Sequence, residues 1–253
     1  VGFGYGKTIF FGEHFVGYGL PSIAAALDAK TFVSAERSGG FRVSDERPET
    51  PGYKDAKRAQ MDEAVRLVFR AVGVDPVKER IALRVYGDLV ATSGIGASGA
   101  FCVALARALC AFAGLNCPDE RINEIGFEGE KGFHGNPSGV DNAVSTFGGV
   151  IRYVKSSPPL ITRLELRRPV EAVLCNTGLT TDTAQAVERF KTARNREPSR
   201  FDALFSEYAR LEAEAEKALV GPDLEALGAL MNRNHELLVE AGMSCEPLDR
   251  LVL

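Results

Sequence analysis

Apolar and polar residues alternate in some stretches of this chain and recur at helical spacing in others, so the pattern predicts both strands and helices. Strands are favoured by short runs of β-branched and aromatic residues, whereas helices are favoured by apolar residues every three to four positions. The predicted strands lie near residues 4–12, 22–36, 80–89 and 147–154, and the predicted helices lie near 54–73, 97–113 and 118–132. Strands and helices are therefore mixed without strict alternation.

The composition changes around residues 156–159, where the turn-forming sequence S-S-P-P separates these elements from a later part of the chain. One more strand is predicted near 170–176, and the pattern then becomes mostly helical. A helix start is predicted at Ser199, because Asp202 follows three residues later as in a capping arrangement, and Pro222 is predicted to open the next helix. We therefore expect two domains, 1–160 and 161–253.

A glycine-rich turn, S-G-I-G-A-S-G-A, runs from residue 93 to residue 100 and directly precedes a predicted helix. Gly94, Gly96 and Gly99 lack side chains where a ligand would touch the backbone. The amide groups at the start of the helix favour an anion, and a phosphate is the expected occupant. The same glycines match the dinucleotide-binding pattern G-x-G-x-x-G, but a second helix follows where that fold requires a strand.

Two acidic residues, Glu130 and Asp141, lie in the segment E-G-E-K-G-F-H-G-N-P-S-G-V-D-N that follows one helical hairpin later. One carboxylate suits a divalent cation beside phosphate oxygens, and the other suits acceptance of a hydroxyl proton. With the phosphate turn, these residues indicate a phosphoryl transferase. A hydrolase that uses Ser138, His134 and Asp141 is disfavoured, because Ser138 lacks the strand-to-helix turn of a serine nucleophile.

Four segments in the same order resemble the GHMP small-molecule kinases, and among them the mevalonate kinases most closely. They are G-K-x-x-x-x-G-E-H-x-V-x-x-G from Gly6, the glycine turn, H-G-N-P-S-G-V-D-N-A-V-S-T-F-G-G from His134, and L-M-N-R-N-H-E-L-L at 230–238. The resemblance implies a two-lobed α+β fold, with a left-handed βαβ unit in the N-terminal lobe and a ferredoxin-like C-terminal lobe. The family's third motif, near G-A-K-x-[ST]-G-x-G-x-G-G, is not found, so we expect the C-terminal lobe to be incomplete in this chain.

The resemblance also implies roles for individual residues. Asp141 corresponds to the base that accepts the hydroxyl proton, and Lys7 corresponds to its cationic partner, which keeps the acid ionised and stabilises the attacking oxygen. Glu130 and Ser98 correspond to the Mg²⁺ ligands, with Glu128 as the competing acid. The plainer alternatives are a helix cap for Asp141, a solvated strand end for Lys7, an exposed helix carboxylate for Glu130 and a helix-start hydroxyl for Ser98.

Substrate and nucleotide contacts follow from the same resemblance. Glu13, His14 and Thr183 are the implied substrate contacts, although helix capping explains Thr183 and the nearby Thr180 equally well. For His134 and His235, a capping or core-edge role is the preferred interpretation. The residues implied to bind ATP are Ser93, Gly94, Ile95, Gly96, Ala97, Ser98, Gly99 and Ala100.

The implied activity is ATP-dependent phosphorylation of the 5-hydroxyl of mevalonate to 5-phosphomevalonate, in the mevalonate route to isoprenoids. ATP would be the co-substrate and Mg²⁺ the cofactor, and the resemblance also implies a homodimer. Two alternatives stay open: another GHMP small-molecule kinase, such as a mevalonate 3-kinase, and a truncated, non-catalytic nucleotide-binding protein.

Composition narrows the class of protein. The 253 residues can bury a large core, and 45% apolar with 25% charged residues is ordinary for a globular protein. A net charge of −4 gives no basic footprint for nucleic acid. The five cysteines are odd in number and form no C-x-x-C pair, which argues against a disulfide framework or a zinc site. Without a membrane-length apolar run or a signal-peptide pattern, we predict a cytoplasmic enzyme with no membrane partner.

Overall fold

The computed structural model describes residues 1–177 and 183–252, and it leaves the side chains of residues 183 and 184 undescribed. The chain forms two compact units. The first unit comprises Val1–Thr8 and Ala25–Gly149, and the second comprises Ile9–Ala24 and Val150–Leu253. The expected domain boundary after residue 160 stays a prediction, because compactness alone does not define which parts fold independently.

The first unit contains strands that bury one face. Its strands are β1 (Gly2–Phe11), β2 (Ser22–Arg37), β3 (Arg42–Asp45) and β4 (Ile81–Gly87), of which β1 and β2 continue into the second unit. β2 pairs with β1 and, antiparallel, with β4, while β3 pairs parallel with β4. In β4, the buried residues Ile81, Leu83 and Val85 alternate with less buried neighbours, so one face of this strand packs on the core.

Helices fill the rest of the first unit. They are α1 (Tyr53–Ala56), α2 (Arg58–Val72), α3 (Ala97–Phe112), α4 (Asp119–His134) and α5 (Val140–Phe147). Most residues of α3 are buried, as its nearly uninterrupted apolar sequence predicts. Two glycines bring α4 close to α2: a Cβ on Gly129 would lie 2.6 Å from Val68 Cγ2, and a Cβ on Gly132 would lie 2.5 Å from the Ala64 amide nitrogen. This close packing fixes the end of α4, which carries Glu130.

The second unit combines a strand pair with long helices. After a short 3₁₀ helix (Phe15–Tyr18), its elements are β5 (Val150–Val154), β6 (Leu160–Leu164), α6 (Thr183–Arg196), α7 (Pro198–Val220), α8 (Leu224–Glu240) and α9 (Glu246–Val252). β5 and β6 pair antiparallel. Phe15 stacks on Tyr208 with 4.3 Å between the ring centroids, and the Tyr208 hydroxyl donates a hydrogen bond to the Pro21 carbonyl at 2.7 Å. This aromatic core anchors the turn after β1 against α7.

The predicted strands near 4–12, 22–36, 80–89 and 147–154 correspond to β1, β2, β4 and β5, and the predicted helices near 97–113 and 118–132 correspond to α3 and α4. The helix predicted over 54–73 is two helices, with a break at Lys57. No described helix is both long and apolar enough to cross a membrane.

Other expectations were wrong. Residues 170–176, which were predicted to form a strand, lie outside any helix or strand. Val173 is 89% exposed, so its apolar side chain does not pack in a core that would stabilise a strand. The helix expected to start at Ser199 begins earlier, at Pro198, whose fixed φ suits the first helical position. The helix expected to open at Pro222 begins at Leu224, where the Asp223 carboxylate caps it by accepting from the Ala226 amide at 3.0 Å.

Candidate active site

The glycine turn lies against β1 in the first unit. Gly96 precedes α3 with a φ of 71°, a left-handed conformation that favours glycine. A Cβ at Gly96 would lie 2.5 Å from Lys7 Cγ, and the Lys7 amide donates to the Ile95 carbonyl at 2.9 Å. The turn is thus held beside Lys7, and the first-turn amides of α3, which lack helical partners, begin at the same point. This arrangement suits an anion such as phosphate.

Lys7 and Asp141 form an ion pair. The distance from Lys7 Nζ to Asp141 Oδ1 is 2.8 Å, and the two side chains are 10% and 24% exposed. Asp141 lies in the first turn of α5, and α5 approaches α3 so closely that a Cβ on Gly99 would lie 3.0 Å from Asp141 Cβ. The structure therefore brings together, beside the glycine turn, the acid and the cation that the sequence pairs.

Glu130 is buried near this ion pair. Its side chain is 1% exposed, and its Oε1 atom has no hydrogen-bond partner among the described residues. Burial, and then the nearby Asp141 carboxylate, raise the pKa of Glu130 to about 8, while the Ser98 hydroxyl and the Lys7 ammonium act in the opposite direction. A buried carboxylate oxygen without a partner is costly, and a bound cation would satisfy it.

Ser98, in the first turn of α3, and His134, at the end of α4, complete this cluster. The Ser98 Oγ atom lies 3.3 Å from His134 Nε2, which lies 3.7 Å from Glu130 Oε2. Ligand atoms of Glu130, His134 and Asp141 lie within 4.8 Å of one another. Sequence reasoning gave His134 a plainer role, although its position four residues after Glu130 puts both on one face of α4.

Glu128, the competing acid, is arranged differently. Its carboxylate is 44% exposed and pairs with Lys131, with 2.6 Å between Glu128 Oε1 and Lys131 Nζ. An exposed acid with a basic partner has less need of a cation than the buried Glu130. The oxygen atoms of Glu130 and Ser98 are the hard ligands that Mg²⁺ prefers, so the residues present fit this ion.

Two further residues contact the glycine turn and were missed in the sequence. Arg47 is buried, pairs with Asp45 at 2.6 Å, and donates to the Ala97 carbonyl at 3.4 Å. The Tyr53 side chain is hydrogen-bonded to Ser93, but burial has the larger effect and raises the pKa of its phenol. Nothing in the sequence pattern connects these two positions to a turn some forty residues later.

The implied substrate contacts lie in the second unit. Glu13 Oε2 accepts a hydrogen bond from Asn234 Nδ2 at 3.3 Å, so the β1 turn contacts α8 of the same unit. The His14 ring stacks on Phe190 with 5.6 Å between centroids, and His14 has a φ of 64°. Burial, and then the positive charge of Arg189, lower the pKa of His14. Thr183 begins α6 with its side chain outside the described residues, and Thr180 also lies outside them.

Comparison with known proteins identifies the family. The GHMP kinases N terminal domain matches residues 59–149. The mevalonate kinase of Thermococcus sibiricus is 30% identical over 267 residues, which cover 97% of this chain and 79% of that protein. The chain belongs to the mevalonate kinase family. The mevalonate kinase of Pyrococcus furiosus agrees, with 30% identity over 268 residues and the same coverage.

A solved member of the mevalonate kinase family has the same fold. The crystal structure of L. major mevalonate kinase in complex with R-mevalonate superposes with a TM-score of 0.86 at 35% identity, covering 97% of this chain and 76% of that chain. The resemblance to GHMP kinases and the α+β fold class are therefore confirmed.

Proposed function

We propose that this chain phosphorylates the 5-hydroxyl of mevalonate with ATP. The observation that carries the proposal is the contact of 2.8 Å between Lys7 and Asp141 beside the glycine turn. Membership of the mevalonate kinase family supports the same substrate. Phosphoryl transfer to an alcohol requires a turn that binds phosphate, a base such as Asp141 and a positively charged group such as Lys7.

In this proposal Asp141 accepts the proton of the substrate hydroxyl, and the oxygen attacks the γ-phosphorus of ATP while its bond to the β–γ bridging oxygen breaks and ADP leaves. Lys7 pairs with Asp141 and stabilises negative charge on the attacking oxygen. Residues 93–100 hold the phosphates of ATP through backbone amides at the start of α3. Arg47 stabilises the turn by donating a hydrogen bond to the Ala97 carbonyl.

The proposed cation ligands are Glu130 and Ser98. Mg²⁺ bound there would neutralise charge on the phosphate oxygens of ATP. The buried Oε1 atom of Glu130 has no hydrogen-bond partner in the part of the chain that the structure describes, which supports this assignment, because an oxygen that binds a cation does not require a protein donor.

We also propose that Glu13, His14 and Thr183 contact mevalonate. Asn234 holds the Glu13 carboxylate, and Phe190 holds the His14 ring, so two of these side chains are ordered by their own unit. Preordered polar groups orient a small polar substrate at low entropic cost. A cytoplasmic homodimer completes the proposal, and light scattering of the purified protein tests the dimer.

The experiment that tests the function is product analysis. The full-length protein is incubated with ATP, Mg²⁺ and R-mevalonate, and the product is examined by phosphorus NMR with coupling to protons. We expect a phosphorus signal coupled to the two protons of C5, because the carbon that bears a phosphorylated primary hydroxyl is a CH₂ group. A phosphate without such coupling would indicate transfer to the tertiary 3-hydroxyl, and ATP consumption without a mevalonate ester would refute the proposal.

A further inference from the structure

His134 joins two residues that come from different helices. It ends α4, four residues after Glu130, and its Nε2 atom lies 3.3 Å from Ser98 Oγ at the start of α3. The same Nε2 atom lies 3.7 Å from Glu130 Oε2, which is too long for a hydrogen bond. Ser98 is therefore the closer of these two partners.

We propose that His134 is a positioning residue of the cation site. The Ser98 hydroxyl donates its one hydrogen to the Glu130 carboxylate and so lowers the pKa of Glu130. The His134 Nε2 atom then donates to Ser98 Oγ, and the ring is the form that carries a proton on Nε2. A hydroxyl has one hydrogen and two lone pairs, so fixing the hydrogen also fixes the direction of the lone pairs. Ser98 is thereby held with a lone pair available to the cation. The inference rests on the proposed roles of Ser98 and Glu130.

The chemistry of the cluster favours this role over direct ligation by the ring. Mg²⁺ prefers oxygen ligands and keeps several waters, whereas imidazole nitrogen suits transition metals better. The Oε1 atom of Glu130 is buried without a partner among the described residues, and it marks where a cation would be held. Groups that orient a metal ligand commonly change metal affinity by ten- to a hundredfold. His134 lies beside Ser98, where it can orient the hydroxyl without itself being a metal ligand.

Binding of Mn²⁺ tests the inference without turnover. Free Mn²⁺ is measured by electron paramagnetic resonance at a fixed concentration of a non-hydrolysable ATP analogue, without mevalonate. Samples with and without the full-length protein are compared, because the analogue alone also binds Mn²⁺. We expect His134→Leu to weaken Mn²⁺ binding about tenfold. His134→Gln should retain most of the affinity, because its side-chain amide nitrogen can donate to the same Ser98 oxygen. Glu128→Gln is the matched control on the same helix and should bind as the wild type does.

A double-mutant cycle with Ser98 separates positioning from other effects. Ser98→Ala should weaken binding, and adding His134→Leu to it should weaken binding no further, because the ring acts through the hydroxyl. Wild-type affinity in His134→Leu, additive losses in the double variant, or failure of His134→Gln to restore binding would each overturn the inference. Strong coupling of bound Mn²⁺ to a ring nitrogen would also overturn it, by showing direct ligation. If the wild type itself binds no Mn²⁺ with the analogue, the proposed cation site fails first.

Discussion

Asp141 gains its proposed role from the three groups around it. Lys7 lies 2.8 Å away, Gly99 allows α3 to approach its Cβ, and Glu130 is close enough for the Asp141 charge to raise the Glu130 pKa. An exposed aspartate at a helix start would have none of these neighbours, and it would act only as a cap. The surroundings of this residue are therefore the better guide to its chemistry than its position at the start of α5.

Asp141→Asn should lower kcat by about 10²- to 10⁴-fold, because an amide cannot accept the hydroxyl proton. ATP affinity should change little, since the base is needed in the transition state and the phosphates are held by the turn. Steady-state kinetics and nucleotide titration measure the two quantities. Asp62→Asn, at an exposed ion pair on α2, is the control and should keep wild-type turnover. Retained turnover in Asp141→Asn would remove this residue from the mechanism.

His14 makes stability depend on pH in a predictable direction. Its pKa is lowered from 6.5 by burial and then by Arg189, so below pH 6.5 the unfolded chain binds a proton that the folded chain resists. The part of the folding free energy that depends on a neutral His14 is therefore fully present above pH 6.5. It is lost as the pH falls through the lowered pKa of His14 in the folded state. Each unit of pKa shift corresponds to about 1.4 kcal/mol.

His14→Asn tests that contribution, because asparagine tolerates the positive φ of 64° and does not titrate. Urea unfolding at pH 8 and pH 5.5 should show a smaller acid-dependent loss of free energy in His14→Asn than in the wild type. Loss of the stack on Phe190 lowers stability at both pH values and cancels in the difference. Equal acid-dependent losses in the two proteins would contradict the assignment.

At the scale of elements, the packing of α4 against α2 positions Glu130. Gly132 lies so close to α2 that a Cβ there would meet the Ala64 backbone nitrogen at 2.5 Å, and backbone cannot move aside as a flexible side chain can. Gly132→Ala should therefore destabilise the protein by about 1–3 kcal/mol through overpacking. Thermal or urea unfolding measures the change.

Gly228→Ala is the matched control for that variant. Gly228 lies inside α8, and a Cβ there would meet no atom within 4 Å. Alanine should stabilise this helix by up to about 1 kcal/mol, because it restricts the unfolded chain more than glycine does. The same substitution thus has opposite signs in two helices. Equal effects at the two positions would show that helix propensity, rather than close packing, decides the outcome at Gly132.

Over the whole molecule, sequence patterns predicted the long elements and missed those whose signal is weak. β1, β2, β4, β5, α3 and α4 were predicted, because burial imposes a clear apolar period on them. β3 has four residues, none of them buried, and in β6 only Leu164 is buried, so neither strand shows a clear apolar period; α5 is short and follows a glycine. The false strand near 170–176 shows the converse, since apolar residues there are exposed.

The residues of the site also fall into those that the sequence predicted and those that it missed. Motif resemblance named Lys7, Ser98, Glu130 and Asp141, and the structure places all four in one cluster of the first unit. Arg47, Tyr53 and His134 were not predicted as part of it, because their contacts depend on how distant elements pack. The burial of Glu130 and its raised pKa likewise have no signature in the sequence.

Nucleotide binding should stabilise the whole molecule in a manner that depends on the cation. A ligand that binds only the folded chain stabilises it by about 2.7 kcal/mol at a hundred times its dissociation constant. For a chain of this size, this corresponds to a rise in the unfolding midpoint of roughly 5–10 °C. The wild type should show this rise with ATP and Mg²⁺, and a smaller rise with ATP and EDTA. The difference between these two shifts reports the cation site.

Glu130→Gln should abolish most of that difference, because a neutral amide is a weaker ligand for Mg²⁺ than a carboxylate. Glu128→Gln should keep it, since Glu128 is half exposed and already paired with Lys131. Comparing the shifts within each variant removes any change in its own stability. A cation-dependent shift retained in Glu130→Gln and lost in Glu128→Gln would transfer the metal site to the competing acid. The buried Glu130 oxygen, which has no partner within residues 1–177 and 183–252, would then need another explanation.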